Sequence, residues 1–206
     1  SFMAKPMEKE PGSAMHIHQS VISAKTGANI FSDTNGEASA LFYAYIGGLQ
    51  RFLPASLSLL APNVNSYRRL IRYHAAPINV QWGLDNRTVG LRVPDSGRES
   101  RRVENRVPGA DANPYLAIAA SLACGLLGMQ QKLDPSAPVT ASAYDMPYEL
   151  PRSLEQSLEA LEHCDDLKEM LGTRFVQAWN AVKESEYDTF LQVISSWERE
   201  HLLLNV

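Results

Sequence analysis

Cysteine is scarce in this chain of 206 residues: it has two, Cys124 and Cys164, far apart and without a Cys-x-x-Cys spacing. That argues against a disulfide framework and reads as two separate thiols of a cytoplasmic protein. Charge of one sign is also lacking. A formal net charge of -4 gives no global reason to expect nucleic acid or an acidic membrane surface as a partner, so any anion site must be local. Long hydrophobic runs are missing as well. The longest, around Leu116 to Met129, is too short and too interrupted by glycine to span a bilayer, and a signal segment before it is not expected. There is no internal repeat and no low-complexity tract. The opening SFMAKP lacks an initiator methionine and begins in mid-pattern, so a piece of a longer protein is expected. What is present, 45% hydrophobic and 20% charged residues, suffices for a sizeable core in one globular domain with a helical appendage.

Residues 15 to 22 alternate His16, His18 and Ser20 against Ile17, Gln19 and Val21, predicting a strand whose even-numbered face is polar. A turn region, 27 to 36, leads to a helix over 37 to 60 that Pro54 ends or kinks. After a loop at 61 to 65, a helical turn is expected near Tyr67 to Ile71. Three short strands follow at Ile78 to Trp82, Thr88 to Val93 and Arg101 to Arg106. Asn113-Pro114 is a helix start, asparagine as N-cap and proline at the first position. Leu116 to Leu133 is apolar on nearly every face, which predicts a buried helix. The stretch 134 to 151 reads as a connector. Ser153-Leu154-Glu155-Gln156 opens a helix that Gly172 ends, and an amphipathic helix covers Thr173 to Trp197, with Phe175, Ala178, Trp179, Val182, Tyr187, Phe190 and Val193 near helical spacing.

The densest polar stretch is NRTVGLRVPDSGRESRRVENR, residues 86 to 106, with Arg87, Arg92, Arg98, Arg101, Arg102 and Arg106 in an otherwise acidic protein. On a strand, Arg102, Glu104 and Arg106 share one face. Guanidinium groups bind phosphate and carboxylate oxygens bidentately, and a carboxylate between them suits a cation that it helps to hold. A salt-bridge ladder on a solvated strand face is the competing reading. For His16 and His18, ordinary surface or satisfied core histidines compete with ligands of Zn2+, Mn2+ or Mg2+.

Lys5-Pro6-Met7 and Pro11-Gly12-Ser13-Ala14-Met15-His16, with His18 and Ser20 following, resemble the ATP-region signature of the glutamine synthetase family. Asn63-Val64-Asn65-Ser66-Tyr67-Arg68-Arg69, Asn86-Arg87-Thr88, Arg102-Val103-Glu104-Asn105-Arg106 and Asp111-Ala112-Asn113-Pro114-Tyr115-Leu116 follow in the family's order and spacing. The resemblance is close from Phe2 to about Met129 and looser beyond. It implies an α/β fold, a curved, mainly antiparallel sheet backed by helices. Residues 1–133 would be the carboxy-terminal half of the catalytic domain and 134–206 a connector and helical region of the same domain.

The activity implied is ATP-dependent joining of glutamate's γ-carboxylate to an amine through γ-glutamyl phosphate, with Mg2+ or Mn2+ neutralising the meeting anions. By matched position, His16 and Glu104 resemble metal ligands, and His18, Ser20 and Arg102 nucleotide contacts. Arg69 and Arg106 resemble the clamps on glutamate's carboxylates, and Arg87 and Arg92 the residues facing the transferred phosphoryl group. The family's assembly implies a homo-oligomer, a dodecamer of stacked rings. Two departures stand out. Six residues after Arg69 the ammonia-using enzymes carry a glutamate, where this chain has Ala75, with His74 beside it; the pattern is similar to the γ-glutamylpolyamine and γ-glutamylputrescine synthetase branch, which takes larger amines. Between Arg92 and Arg102 the chain is one residue shorter, with Arg98 or Glu99 near a lysine position that receives no role. The remaining glutamate ligands of the family lie upstream of the matched segments, so this chain alone is expected not to turn over. A glutamine synthetase using ammonia and a non-catalytic structural or regulatory relative are the alternatives.

Overall fold

A computed structural model describes residues 1–205. Strands β1 (Ile17–Gln19), β2 (Trp82–Leu84), β3 (Leu91–Val93) and β4 (Val103–Asn105) form one sheet in the order β1-β4-β3-β2. The β1–β4 and β3–β4 pairs are antiparallel and the β2–β3 pair is parallel. Helices α1 (Ala40–Phe52), α2 (Leu57–Leu60), α3 (Pro114–Gln131), α4 (Leu154–Glu162), α5 (Asp165–Leu171), α6 (Thr173–Leu191) and α7 (Ser196–Leu202) make up the rest of the α/β fold.

Alternation along the strands sorts the faces. Ile17 and Gln19 are buried while His16, His18 and Ser20 are exposed, as the even-and-odd pattern predicts, although the regular strand is only three residues long. The inner face rests on α3. Ser121 of that helix donates to Gln19 Oε1 at 2.6 Å and accepts from Asn105 Nδ2 at 3.0 Å, tying β1 and β4 to the helix through a buried polar link. The start of α3 follows the sequence signal: Asn113 accepts from the backbone N–H of Tyr115 and Leu116, and Pro114 has no N–H to satisfy. Helix α1 lies against α3 where Gly48 meets Gly128. A Cβ on Gly128 would stand 2.2 Å from the Ala44 carbonyl oxygen, so the two backbones touch only because both residues lack side chains.

Four elements depart from expectation. The strand expected at Ile78 to Trp82 is displaced to 82–84. Backbone groups of the earlier segment turn to the connector instead: the Ile78 carbonyl accepts from Glu149 and Leu150, and the Val80 N–H donates to the Glu149 carboxylate. Helix α3 is not buried all round, since Tyr115, Ile118, Leu122 and Leu126 face outward. The helix expected from Ser153 to Gly172 breaks at His163 and Cys164, where the N–H groups of both close back on Glu159 and Leu161; Asp165 and Asp166 then restart it, acids in the first turn of α5. The last helix stops at Leu191, and a capping box of Ser195 and Glu198 begins α7. The face that α6 buries is Val176, Asn180 and Lys183, while Val182 and Val193 are exposed. Pro54 does separate α1 from α2, and both cysteines are free thiols. Among the described residues no helix is long and apolar enough to cross a membrane.

Candidate functional site

One rung of the sheet carries His18 on β1, Glu104 on β4 and Arg92 on β3, paired directly across the strands. Residues two positions away on a strand share its face, which brings His16, Arg102 and Arg106 to the same side. Glu104 sits at the centre and is 3% exposed. Arg92 Nη1 donates to its Oε2 at 2.6 Å, Arg106 Nη1 donates to Oε1 at 2.8 Å, and His16 Nδ1 lies 2.9 Å from Oε1. Asp85 takes the other arm of Arg92 at 2.6 Å. The solvated ladder is therefore ruled out: an exposed strand face would leave its central carboxylate in water.

The electrostatics follow from this packing. Burial pushes the Glu104 carboxyl up, but hydrogen bonds and charge from Arg92 and Arg106, with His16, outweigh it and hold the group below the ordinary 4.5. For His16, burial is the largest influence and Arg106 the next; both lower it below the ordinary 6.5, and Glu104 only partly compensates. An imidazole and a carboxylate side by side are donor types that a divalent cation takes.

Sequence-distant motif segments hold this face in position. The Lys5 N–H donates to Asn65 Oδ1 at 2.8 Å and Asn65 Nδ2 returns to the Lys5 carbonyl at 3.0 Å, joining the first motif to the second. Asn63 and Ser66 both donate to Asp111 Oδ2, at 2.9 and 2.6 Å, joining the second to the last. Gly12 is needed for a close approach: a Cβ there would lie 2.5 Å from Arg69 Cγ.

The other sequence candidates fall in different places. Arg102 Nε donates to His18 Nδ1 at 3.3 Å, so these two meet at the exposed edge of the rung. Ser20 is exposed one residue past β1. Arg69 is 2% exposed and donates to the Val107 carbonyl; burial pulls it down to about 10, with Asp111 opposing. Arg87 is exposed and makes no ion pair among the described residues, so it is not gathered onto Glu104. Ala75 and Tyr73 both have left-handed backbones, with φ of 58° and 61°. Asp85 was missed from sequence. Its position two residues before Arg87, in the turn between β2 and β3, was the available signal.

As a metal centre the described residues fit only in part. His16 and Glu104 are suitable donors, yet no group of three or more His, Cys, Asp or Glu among the described residues is placed to hold an ion. The pair is a fragment of a coordination shell.

A buried carboxylate enclosed by two guanidinium groups and an imidazole thus lies on the polar side of a small mixed sheet. The chain belongs to the glutamine synthetase family: the model of "Glutamine synthetase, catalytic domain" matches residues 1–202. It is 42% identical over 208 residues to the gamma-glutamylputrescine synthetase PuuA of Escherichia coli strain K12, covering 100% of this chain and 43% of that protein. It is 40% identical over 211 residues to type-1 glutamine synthetase 2 of Dictyostelium discoideum, covering 98% and 40%. Against a glutamate–isopropylamine ligase of a Pseudomonas species it is 36% identical over 204 residues, covering 96% and 44%. The solved structure of GmaS without ligand superposes with a TM-score of 0.88 at 34% identity, covering 99% of this chain and 48% of that one. A GmaS structure in complex with ADP gives 0.88 at 33% identity, covering 98% and 49%. The chain thus spans less than half the length of these relatives, which are ligases of one family.

Proposed function

We propose that this chain supplies part of the active site of an ATP-dependent ligase that joins the γ-carboxylate of glutamate to an alkyl amine, diamine or polyamine. The observation that carries the reading is Glu104, buried and ionised between Arg92, Arg106 and His16 in a chain of this family. The reaction must bring two anions together. A γ-carboxylate oxygen of glutamate attacks the terminal phosphorus of ATP and ADP leaves; the amine nitrogen then attacks the acyl carbon, phosphate departs with the C–O electron pair, and the nitrogen loses a proton. Arg92 faces the transferred phosphoryl group, and Arg106 binds a glutamate carboxylate while Glu104 fixes its guanidinium. Arg69, beneath the chain near Val107, is the second clamp, and Arg87 is the outer cation near the phosphoryl group. His18, Ser20 and Arg102 contact the nucleotide from the exposed edge. A divalent cation, Mg2+ or Mn2+, held by His16 and Glu104 with donors from outside this chain would neutralise the phosphates.

An amine larger than ammonia is favoured because Ala75 carries neither charge nor bulk where the ammonia-using enzymes have a glutamate. Relatives named for putrescine and isopropylamine support the same direction. The test incubates the complete enzyme with ATP, glutamate and either putrescine or ammonium. Preferential formation of the γ-glutamyl amine is expected, and a strong preference for ammonium would establish the glutamine synthetase reading instead.

A further inference from the structure

The segment 134 to 151 has little regular structure, yet its short turn Ala143–Asp145 is fastened beside the site. The Ala143 N–H donates to Thr88 Oγ1 at 2.8 Å and the Ala143 carbonyl accepts from buried Asn79 at 2.8 Å. Asn79 lies against Gly90, where an added Cβ would stand 2.3 Å from the Asn79 carbonyl oxygen, and the Gly90 carbonyl accepts the Arg106 N–H at 2.9 Å. The turn that carries Tyr144 is thus linked, through Asn79 and Gly90, to the backbone of Arg106. The Tyr73 ring packs on Tyr144 with centroids 5.4 Å apart, and its hydroxyl donates to Asp145 Oδ1 at 2.8 Å.

Three further features show that this wall is held in place. Tyr73 and Ala75 both keep left-handed backbones without being glycine, a conformation that persists only where its surroundings impose it. Arg72 donates to the carbonyls of Tyr144 and Met146, clasping the turn from the other side. The Tyr148 ring is enclosed by the guanidinium groups of Arg72 and Arg152, at 5.0 and 4.7 Å. Tyr73 nevertheless remains 68% exposed and Asp145 Oδ2 has no partner among the described residues, so an aromatic face and a carboxylate oxygen are presented to solvent.

This chemistry is opposite to that of the guanidinium groups beside it. Aromatic faces with a carboxylate receive an alkyl chain and an ammonium group, through ring quadrupole and charge. We infer that Tyr73 and Asp145, with buried Tyr144 packed behind the Tyr73 ring, form the subsite for the distal ammonium end of a diamine whose other nitrogen is joined to glutamate. The inference rests on the amine-ligase reading above.

The experiment compares putrescine with pentylamine, which has similar length and no distal charge, in the complete enzyme and in Asp145→Asn. Asparagine still accepts the Tyr73 hydroxyl hydrogen bond, so the fold of this exposed turn is kept. The expected result is a rise of about tenfold in the putrescine KM with the pentylamine KM changing less than about twofold. Tyr73→Leu should raise the putrescine KM in the same sense. Equal changes for both amines, or none for either, in an enzyme that does use alkyl amines overturn the inference alone. An enzyme that uses only ammonium overturns both the underlying reading and the inference.

Discussion

At the scale of the residue, Glu104 determines the character of the site. Its oxygens accept from Arg92 and Arg106 and face His16, so removing its charge leaves two guanidinium groups close together without a counter-charge. Glu104→Gln should lower unfolding stability by about 2 kcal/mol at neutral pH, measured by denaturant titration; unchanged stability would show that the arginines are served equally well by water. The same group sets a pH dependence. Glu104 and His16 both titrate lower in the folded chain than their ordinary values of 4.5 and 6.5, so the unfolded chain binds more protons as acid is added. Stability is held above pH 6.5, begins to fall below it through His16, and falls further as pH drops through the depressed value of Glu104. Denaturant midpoints measured from about pH 8 to about pH 4 should show this decline, with its upper part weakened in His16→Gln. A midpoint that rises on acidification would contradict the assignment.

At the scale of the element, the three-residue strands are too short to hold the rung unaided, and the buried link through Ser121 anchors β1 and β4 on α3. Ser121→Val strands the amide groups of Gln19 and Asn105, and a loss of about 1–3 kcal/mol is expected by thermal or denaturant unfolding. Gly128→Ala places a methyl group against the Ala44 carbonyl of α1 and should cost about as much, through overpacking. Much of this level is legible in the sequence. Asn113-Pro114, the alternation around His18 and Pro54 each act through local backbone physics, and each element appears where that physics puts it. The rest depends on distant partners. Ile78 and Val80 have strand composition, but their backbone groups bond to Glu149 and Leu150. At His163 and Cys164 the helix instead closes back on Glu159 and Leu161, a local stop that the run of helix-forming residues around it conceals. That Glu104 is buried was not legible either, because a strand pattern gives the face a residue occupies and not what covers it.

At the scale of the whole molecule, the surface is more apolar than the composition suggests. Ile118, Leu122 and Leu126 recur every four residues along α3, and Leu202, Leu203 and Leu204 are exposed near the end of the described chain. Such a stripe favours association, so the chain expressed by itself should elute larger than a 22.8 kDa monomer in size exclusion and bind a hydrophobic dye; a monomer without dye binding would contradict this. The incomplete ligand set has a catalytic consequence at the same scale. With only His16 and Glu104 as donors at the site among the described residues, the isolated chain should form no amide from ATP, glutamate and amine. Whether Glu104 organises both the arginine cluster and the cation of an amine ligase is decided in the complete enzyme. Initial rates of γ-glutamyl amide formation from ATP, glutamate and putrescine are compared between the unmodified enzyme and Glu104→Gln. A fall of about 100-fold or more is the expected result, and a variant that retains full activity would contradict it.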